Sequence, residues 1–191
     1  MANHLEDLTA EWLEFNGYFV RKSVLVGKRD QGGWEGELDV VAVHPATKHL
    51  LHVECSLDAD TWERRESRFS AKFERGRRHI GDLFAGLEIK TKPDQVALLA
   101  LGGGPREELG GGRIVWVADF VADILAELST RPFNKNAVPS TLPLLRTMQL
   151  AAQPSKKRKL TGSLLPGSES GSLTLHVAEQ ASSPSPSTAR A

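Results

Sequence analysis

Two neighbouring apolar segments, WEGELDVVAV (34–43) and LLHVECS (50–56), carry acids at positions where a buried strand usually carries valine. Glu37 and Asp39 stand on the first and Glu54 on the second. If Pro45 to Lys48 form the turn, His44 faces His49, and counting outward sets Asp39 opposite Glu54 and Glu37 opposite Ser56. Because side chains alternate, one face then holds Leu38, Val40, Ala42, Leu51, Val53 and Cys55, and the other holds the acids with His52. Like charges directly opposite one another have Cβ atoms only ~5 Å apart and destabilise a sheet. A positive charge is therefore expected beside them. Oxygen donors in this arrangement suit a hard divalent ion, Mg²⁺ or Mn²⁺. Such an ion can lower the pKa of a bound water and stabilise a phosphodiester under in-line attack. In the competing reading, Glu37 and Asp39 sit at a solvated edge and only Glu54 is unusual.

The elements that must position these acids can be read from periodicity. Asn3 and Glu6 resemble a capping box, and Leu5, Leu8, Trp12, Leu13 and Phe15 share a helical arc that ends at Asn16-Gly17, predicting a helix over 4–15. Tyr18 to Val26 reads as a strand, and the two acidic segments read as a hairpin with strands near 36–43 and 50–56. Asp60 or Thr61 caps a long helix ending near Phe84, with Trp62, Phe69, Phe73, Ile80 and Phe84 as its apolar seam. Arg64, Arg65, Arg68, Lys72, Arg75 and His79 fall on one flank of that seam, a stripe suited to a phosphate backbone. A solvated helix face laced with ion pairs is the plainer alternative. QVALLAL (95–101) reads as a strand buried on both faces, RIVWV (113–117) as another, and 119–129 as a helix. The fold class is thus α/β with a mixed central sheet.

The order helix, strand, ELDVVA, hairpin, HVECS, basic helix, strand resembles the PD-(D/E)xK nuclease superfamily, nearest to its Holliday-junction resolvase and Mrr-type branch. The resemblance covers roughly residues 4–101 and implies a restriction endonuclease-like α-β-β-β-α-β core. It also implies that Asp39 and Glu54 hold the metal, that the Cys55 carbonyl completes the protein ligands, and that Glu6 orients a water or a second metal. Glu6 has a simple capping role as its alternative. The family's lysine belongs two residues after the glutamate, where this chain has Ser56. Lys72 on the following helix is the best replacement, with Arg68 second. Arg65, Arg68 and Arg75 would grip phosphates, while Glu37, Ser56 and His52 would support the site. The implied activity is metal-dependent hydrolysis of DNA, and because nucleases of this kind often pair to cut two strands, a homodimer is the partner that the resemblance suggests. The alternative is a catalytically inactive module that binds nucleic acid or a partner.

The totals bound these readings. The chain has 191 residues, formal net charge zero and one cysteine, so no disulfide framework or global basic charge is in play. No signal-peptide or membrane-span pattern is evident, and a cytoplasmic location is expected. Residues 1–152 are expected to form the nuclease domain and 153–191 a disordered Ser/Pro-rich tail containing the basic run PSKKRK. Residues 139–148 are apolar enough to pack somewhere, along the domain edge or against a partner.

Overall fold

The computed structural model describes residues 4–87, 89 and 92–153; Asn3 and the expected tail from 154 onward lie outside the described residues. The elements run α1 (His4–Phe15), β1 (Phe19–Lys28), β2 (Trp34–Val43), β3 (Leu50–Ser56), α2 (Trp62–Leu83), β4 (Asp94–Leu99), β5 (Glu108–Leu109), β6 (Gly112–Trp116), α3 (Val117–Ser129) and α4 (Pro143–Ala152). Six strands form one mixed sheet in the order β1-β2-β3-β4-β6-β5. β1, β2 and β3 are antiparallel, β3, β4 and β6 are parallel, and β5 is antiparallel to β6.

The sheet has a helix layer on each side. α1 and α3 cover one face, where Leu5, Leu13 and Phe120 meet Val40, Ala42, Leu51, Val53 and Leu98. α2 covers the other through Phe69, Phe73 and Ile80. Thr61 caps α2, its side chain accepting from the Arg64 amide. Burying each phenylalanine contributes roughly 1.5–3 kcal/mol, which anchors the helix against the sheet along its seam. Segment 139–148 forms the start of α4 and its approach. Val138, Leu142 and Leu145 close a core with Ile124 and Leu128 of α3 and with Leu8 and Trp12 of α1. Glu11 of α1 accepts the Leu145 amide at 2.9 Å and so satisfies the first turn of α4.

The β2–β3 register is the expected one. His44 N donates to the His49 carbonyl at 2.9 Å, and Val43↔Leu50, Ala42↔Leu51, Val41↔His52 and Val40↔Val53 follow in step. Lys48 turns the corner at φ 56.

The expected alternation fails at one point. Val40 and Ala42 face α1, but Leu38 packs with Val41, Val24, Val26 and Ile80 on the α2 face. β1 changes face at the same level, since Val20 packs on the α1 side and Val24 on the α2 side. The cause is Ser23, held at φ 50 between the pairs Lys22↔Val40 and Val24↔Leu38, directly across from Asp39. A left-handed residue inside a strand costs ~1 kcal/mol and turns the following side chains over. Both strands thus swap faces beside Asp39 without losing register. This corrects the placing of Leu38 with Val40 and of Glu37 with Asp39. Glu37 is exposed.

Candidate active site

β3 is buried along its whole length, yet it carries His52, Glu54 and Ser56 at 0%, 0% and 6% exposure. Asp39 is 8% exposed beside them. Groups this polar stay inside only when paired.

Lys72 is the partner. β3 ends at Ser56, the connector carries the chain out to Thr61, and α2 returns over the sheet so that its third turn lies above the acids. Lys72 Nζ donates to Asp39 Oδ1 at 2.9 Å and Oδ2 at 3.1 Å, and also to Glu54 Oε2. One ammonium therefore touches both carboxylates, and the positive charge that the acids require comes from the chain itself.

The remaining oxygens are engaged by the protein. Asp39 Oδ2 accepts the Cys55 amide at 2.8 Å. Continuing the ladder beyond Val40↔Val53 would have sent that amide to the Leu38 carbonyl; the carboxylate takes it instead, just where the strands change face. Glu54 Oε1 pairs with His52 Nε2 at 2.7 Å.

The two acids differ in protonation. Burial, then the Glu54 charge, push Asp39 up from its ordinary 3.8 to about 7 in spite of Lys72. Burial also works to raise Glu54, but the His52 hydrogen bond and the Lys72 charge outweigh it and hold that carboxyl below its usual range. Lys72 would be lowered by burial alone; Glu54 and Asp39 hold it above its usual range. Glu54 is thus the fixed charge, and Asp39 is the group that gains or loses a proton near neutrality.

Other expected residues lie at varying distance from this centre. Glu6 is raised first by burial and then by the Glu37 charge, with Lys72 and Glu54 as lesser influences. The Cys55 thiol points to the α1 face near Thr9, and burial pushes it up. Ser56 accepts from Arg68 Nη2 at 3.3 Å.

Most of the basic stripe of α2 is bound within the fold, unlike the outward phosphate grip expected of it, and Arg64 is the member left largely exposed. Arg65 is 2% exposed, donates to the carbonyls of Leu101 and Asp58, and stacks on Trp62. Arg68 pairs with Asp58 at 2.6 Å and Asp60 at 2.8 Å, which pins the connector. The Arg75 guanidinium fills the space over Gly36, where a Cβ would stand 2.5 Å from Cζ. Arg78 and His79 hold Glu35 at 3.0 and 3.2 Å. These cations lock α2 onto the sheet. Among the described residues, Arg21, Lys28 and Arg29 on β1 and its turn are exposed and enter no side-chain ion pair, as is also true of Lys92, Arg106 and Lys135 elsewhere on the surface.

Two contributors are absent from the sequence reading, Gln95 and Arg77. Gln95 Nε2 reaches His52 Nδ1 at 3.2 Å and the Phe73 carbonyl at 2.8 Å, while its Oε1 accepts from Arg77 Nη1 at 2.7 Å. A lone polar residue opening the apolar run VALLAL, together with a glycine in mid-helix at Gly76, was the available signal.

The donor set suits a small hard cation. Two carboxylate oxygens converge on the point that the Lys72 ammonium holds, and Mg²⁺ or Mn²⁺ in place of that ammonium needs no more than one or two carboxylates besides waters and phosphate oxygens. Among the described residues, no group of three or more His, Cys, Asp and Glu side chains stands ready to hold a metal. Any ion here would rely on Asp39, Glu54 and main-chain or solvent oxygens. No family model, curated protein or solved structure matches the chain. No described helix is long and apolar enough to cross a membrane.

Proposed function

We propose that the protein is a metal-dependent deoxyribonuclease built on a restriction endonuclease-like core. The observation that carries this reading is the convergence of Asp39 and Glu54 on a single lysine ammonium at the end of β3. The first six elements, α1-β1-β2-β3-α2-β4, follow the order of that core. Lys72 takes the role of the lysine missing at Ser56, delivered from the third turn of the helix.

Asp39 Oδ1 and Glu54 Oε2 would hold Mg²⁺ or Mn²⁺ with the Cys55 carbonyl, and the ion would activate a water and take up charge on the scissile phosphate. Lys72 offers its ammonium to the developing negative charge. Glu6 orients water from the α1 side. Arg21, Lys28 and Arg29 meet the phosphate backbone, a role that passes to them from Arg65, Arg68 and Arg75 because those three are spent within the fold.

A second reading is favoured by the internal pairing. With Lys72 bridging both acids and Arg65, Arg68, Arg77, Arg78 and His79 bonded within the fold, the centre can serve as a buried ion network in a module that binds nucleic acid or a partner without cutting. Incubating plasmid and branched DNA with Mg²⁺ or Mn²⁺ separates the two. The nuclease reading expects nicking by the wild type and its loss in Asp39→Ala. Equal cleavage by both proteins removes the proposed mechanism. Salt-dependent binding without cleavage supports the second reading.

A further inference from the structure

Glu54 is fully buried, and its two oxygens have different partners. Oε2 faces Lys72 and Asp39, whereas Oε1 accepts from His52 Nε2 at 2.7 Å. What holds His52 in that pose is a chain of contacts with no freedom to reverse. Arg77 can only donate, so the Gln95 atom 2.7 Å from its Nη1 must be the carbonyl oxygen. The Gln95 amide nitrogen therefore points the other way, donating to the Phe73 carbonyl at 2.8 Å and to His52 Nδ1 at 3.2 Å. With Nδ1 accepting, the ring proton sits on Nε2 and is aimed at Glu54. Gly76 gives the ring its room, since a Cβ there would stand 2.4 Å from His52 Nδ1, and the Phe73 ring closes the side with centroids 5.4 Å apart.

The consequence concerns how many oxygens the site can present. With Oε1 engaged by His52, Glu54 can offer an ion Oε2 alone, the oxygen that faces Lys72, where the ion would replace the ammonium. Asp39 is constrained in a similar way, because its Oδ2 already takes the Cys55 amide. Mg²⁺ and Mn²⁺ accept single carboxylate oxygens in compact octahedral shells, while Ca²⁺ takes six to eight oxygens and readily uses a carboxylate through both.

We propose that the Arg77–Gln95–His52 chain is a positioning device that keeps Glu54 monodentate, so that the acid pair selects Mn²⁺ or Mg²⁺ over Ca²⁺. This rests on the reading that Asp39 and Glu54 hold an ion. His52 and Gln95 are positioning residues that act through Glu54.

The test is calorimetric titration of Mn²⁺ alone and Ca²⁺ alone, without DNA, into the full chain and its variants, each checked for folding by circular dichroism. The wild type should bind Mn²⁺ more tightly than Ca²⁺. His52→Leu should lose ~10-fold in Mn²⁺ affinity and narrow the gap between the ions, because Oε1 is released. His52→Gln, whose amide nitrogen stands where Nε2 stood, should restore the gap. If His52→Leu does not fold, Gln95→Met disturbs the same chain one step back and should narrow the gap in the same direction. A Mn²⁺-to-Ca²⁺ ratio unchanged in the folded variants overturns the proposal while leaving the metal reading in place. Failure of the wild type to bind either ion removes both.

Discussion

The two ends of β3 carry similar chemistry and behave differently. At its C-terminal end, Glu54, His52, Asp39 and Lys72 form a network in which the first two side chains are fully buried and Lys72 is 26% exposed. At its N-terminal end, His49 lies between the Tyr18 hydroxyl at 2.8 Å and Asp94 at 3.6 Å, and Arg113 reaches Asp94 at 3.2 Å. These side chains are roughly a third to a half exposed. Both ends have a histidine, carboxylate and cation, but water screens one set and reaches the other mainly at Lys72. Burial, more than residue type, decides where charge can be held in a strained and useful state.

The largest expected effect follows from removing the buried cation. Lys72→Met leaves two carboxylates without their counterion and should lower unfolding free energy by roughly 3–5 kcal/mol at pH 8, as for other broken buried pairs. Asp94→Asn at the exposed end should cost at most about 1 kcal/mol. Urea denaturation of both variants sharpens the contrast, and comparable losses would break it.

Next comes the pH dependence, which should separate the two ends without mutation of the lysine. Asp39 has a folded pKa of about 7 against an ordinary 3.8, so the native state holds its proton more tightly than the unfolded chain. Its contribution to stability is complete below about 3.8 and is lost as pH rises through 7. Glu54 runs the opposite way: its folded pKa is lowered, so its contribution is present above the ordinary 4.5 and lost as pH falls through the folded value. Lys72, raised above 10.5, adds stability that disappears only in strong alkali. In metal-free buffer, Asp39→Asn should therefore flatten the stability curve between pH 4 and 8, gaining on the wild type at the alkaline end. An unchanged slope would show that Asp39 titrates normally.

The smallest effect belongs to the surface. Lys28→Ala combined with Arg29→Ala should leave stability within about 0.5 kcal/mol and reduce the salt slope of DNA binding by about 2, one unit per lost phosphate contact. Arg65→Ala should do the reverse, destabilising the fold through its two lost carbonyl contacts while leaving the slope intact. Filter binding across a salt series, paired with melting curves, distinguishes these outcomes.

Much of this was legible in the chain. The β2–β3 register as far as Val40↔Val53, which leaves Asp39 and Glu54 next in step, followed from a four-residue turn and the apolar alternation up to Val40, because register in a half-buried hairpin admits few alternatives. α1 and the seam of α2 followed from helical spacing. Lys72 stood out by residue type and flank. The face swap at Ser23 and Asp39 did not, since nothing in a Ser codes for a left-handed strand residue until neighbouring layers impose it. Nor did Gln95, which lies 41 positions beyond Glu54 and meets His52 only because β4 pairs parallel to β3.

The sequence by itself determined which residues were hydrophobic enough to be inside, the period of each element, and the presence of acids among them, because these depend on local pattern. Tertiary structure alone decided the direction of α2's charges. A stripe on a helical wheel has no inside or outside until the helix lands, and here Asp58, Asp60, Gly36 and Glu35 tie most of those cations to the connector and the sheet. It also decided that Lys72 would answer both acids, since an ammonium reaches two carboxylates only where a helix crosses two strands.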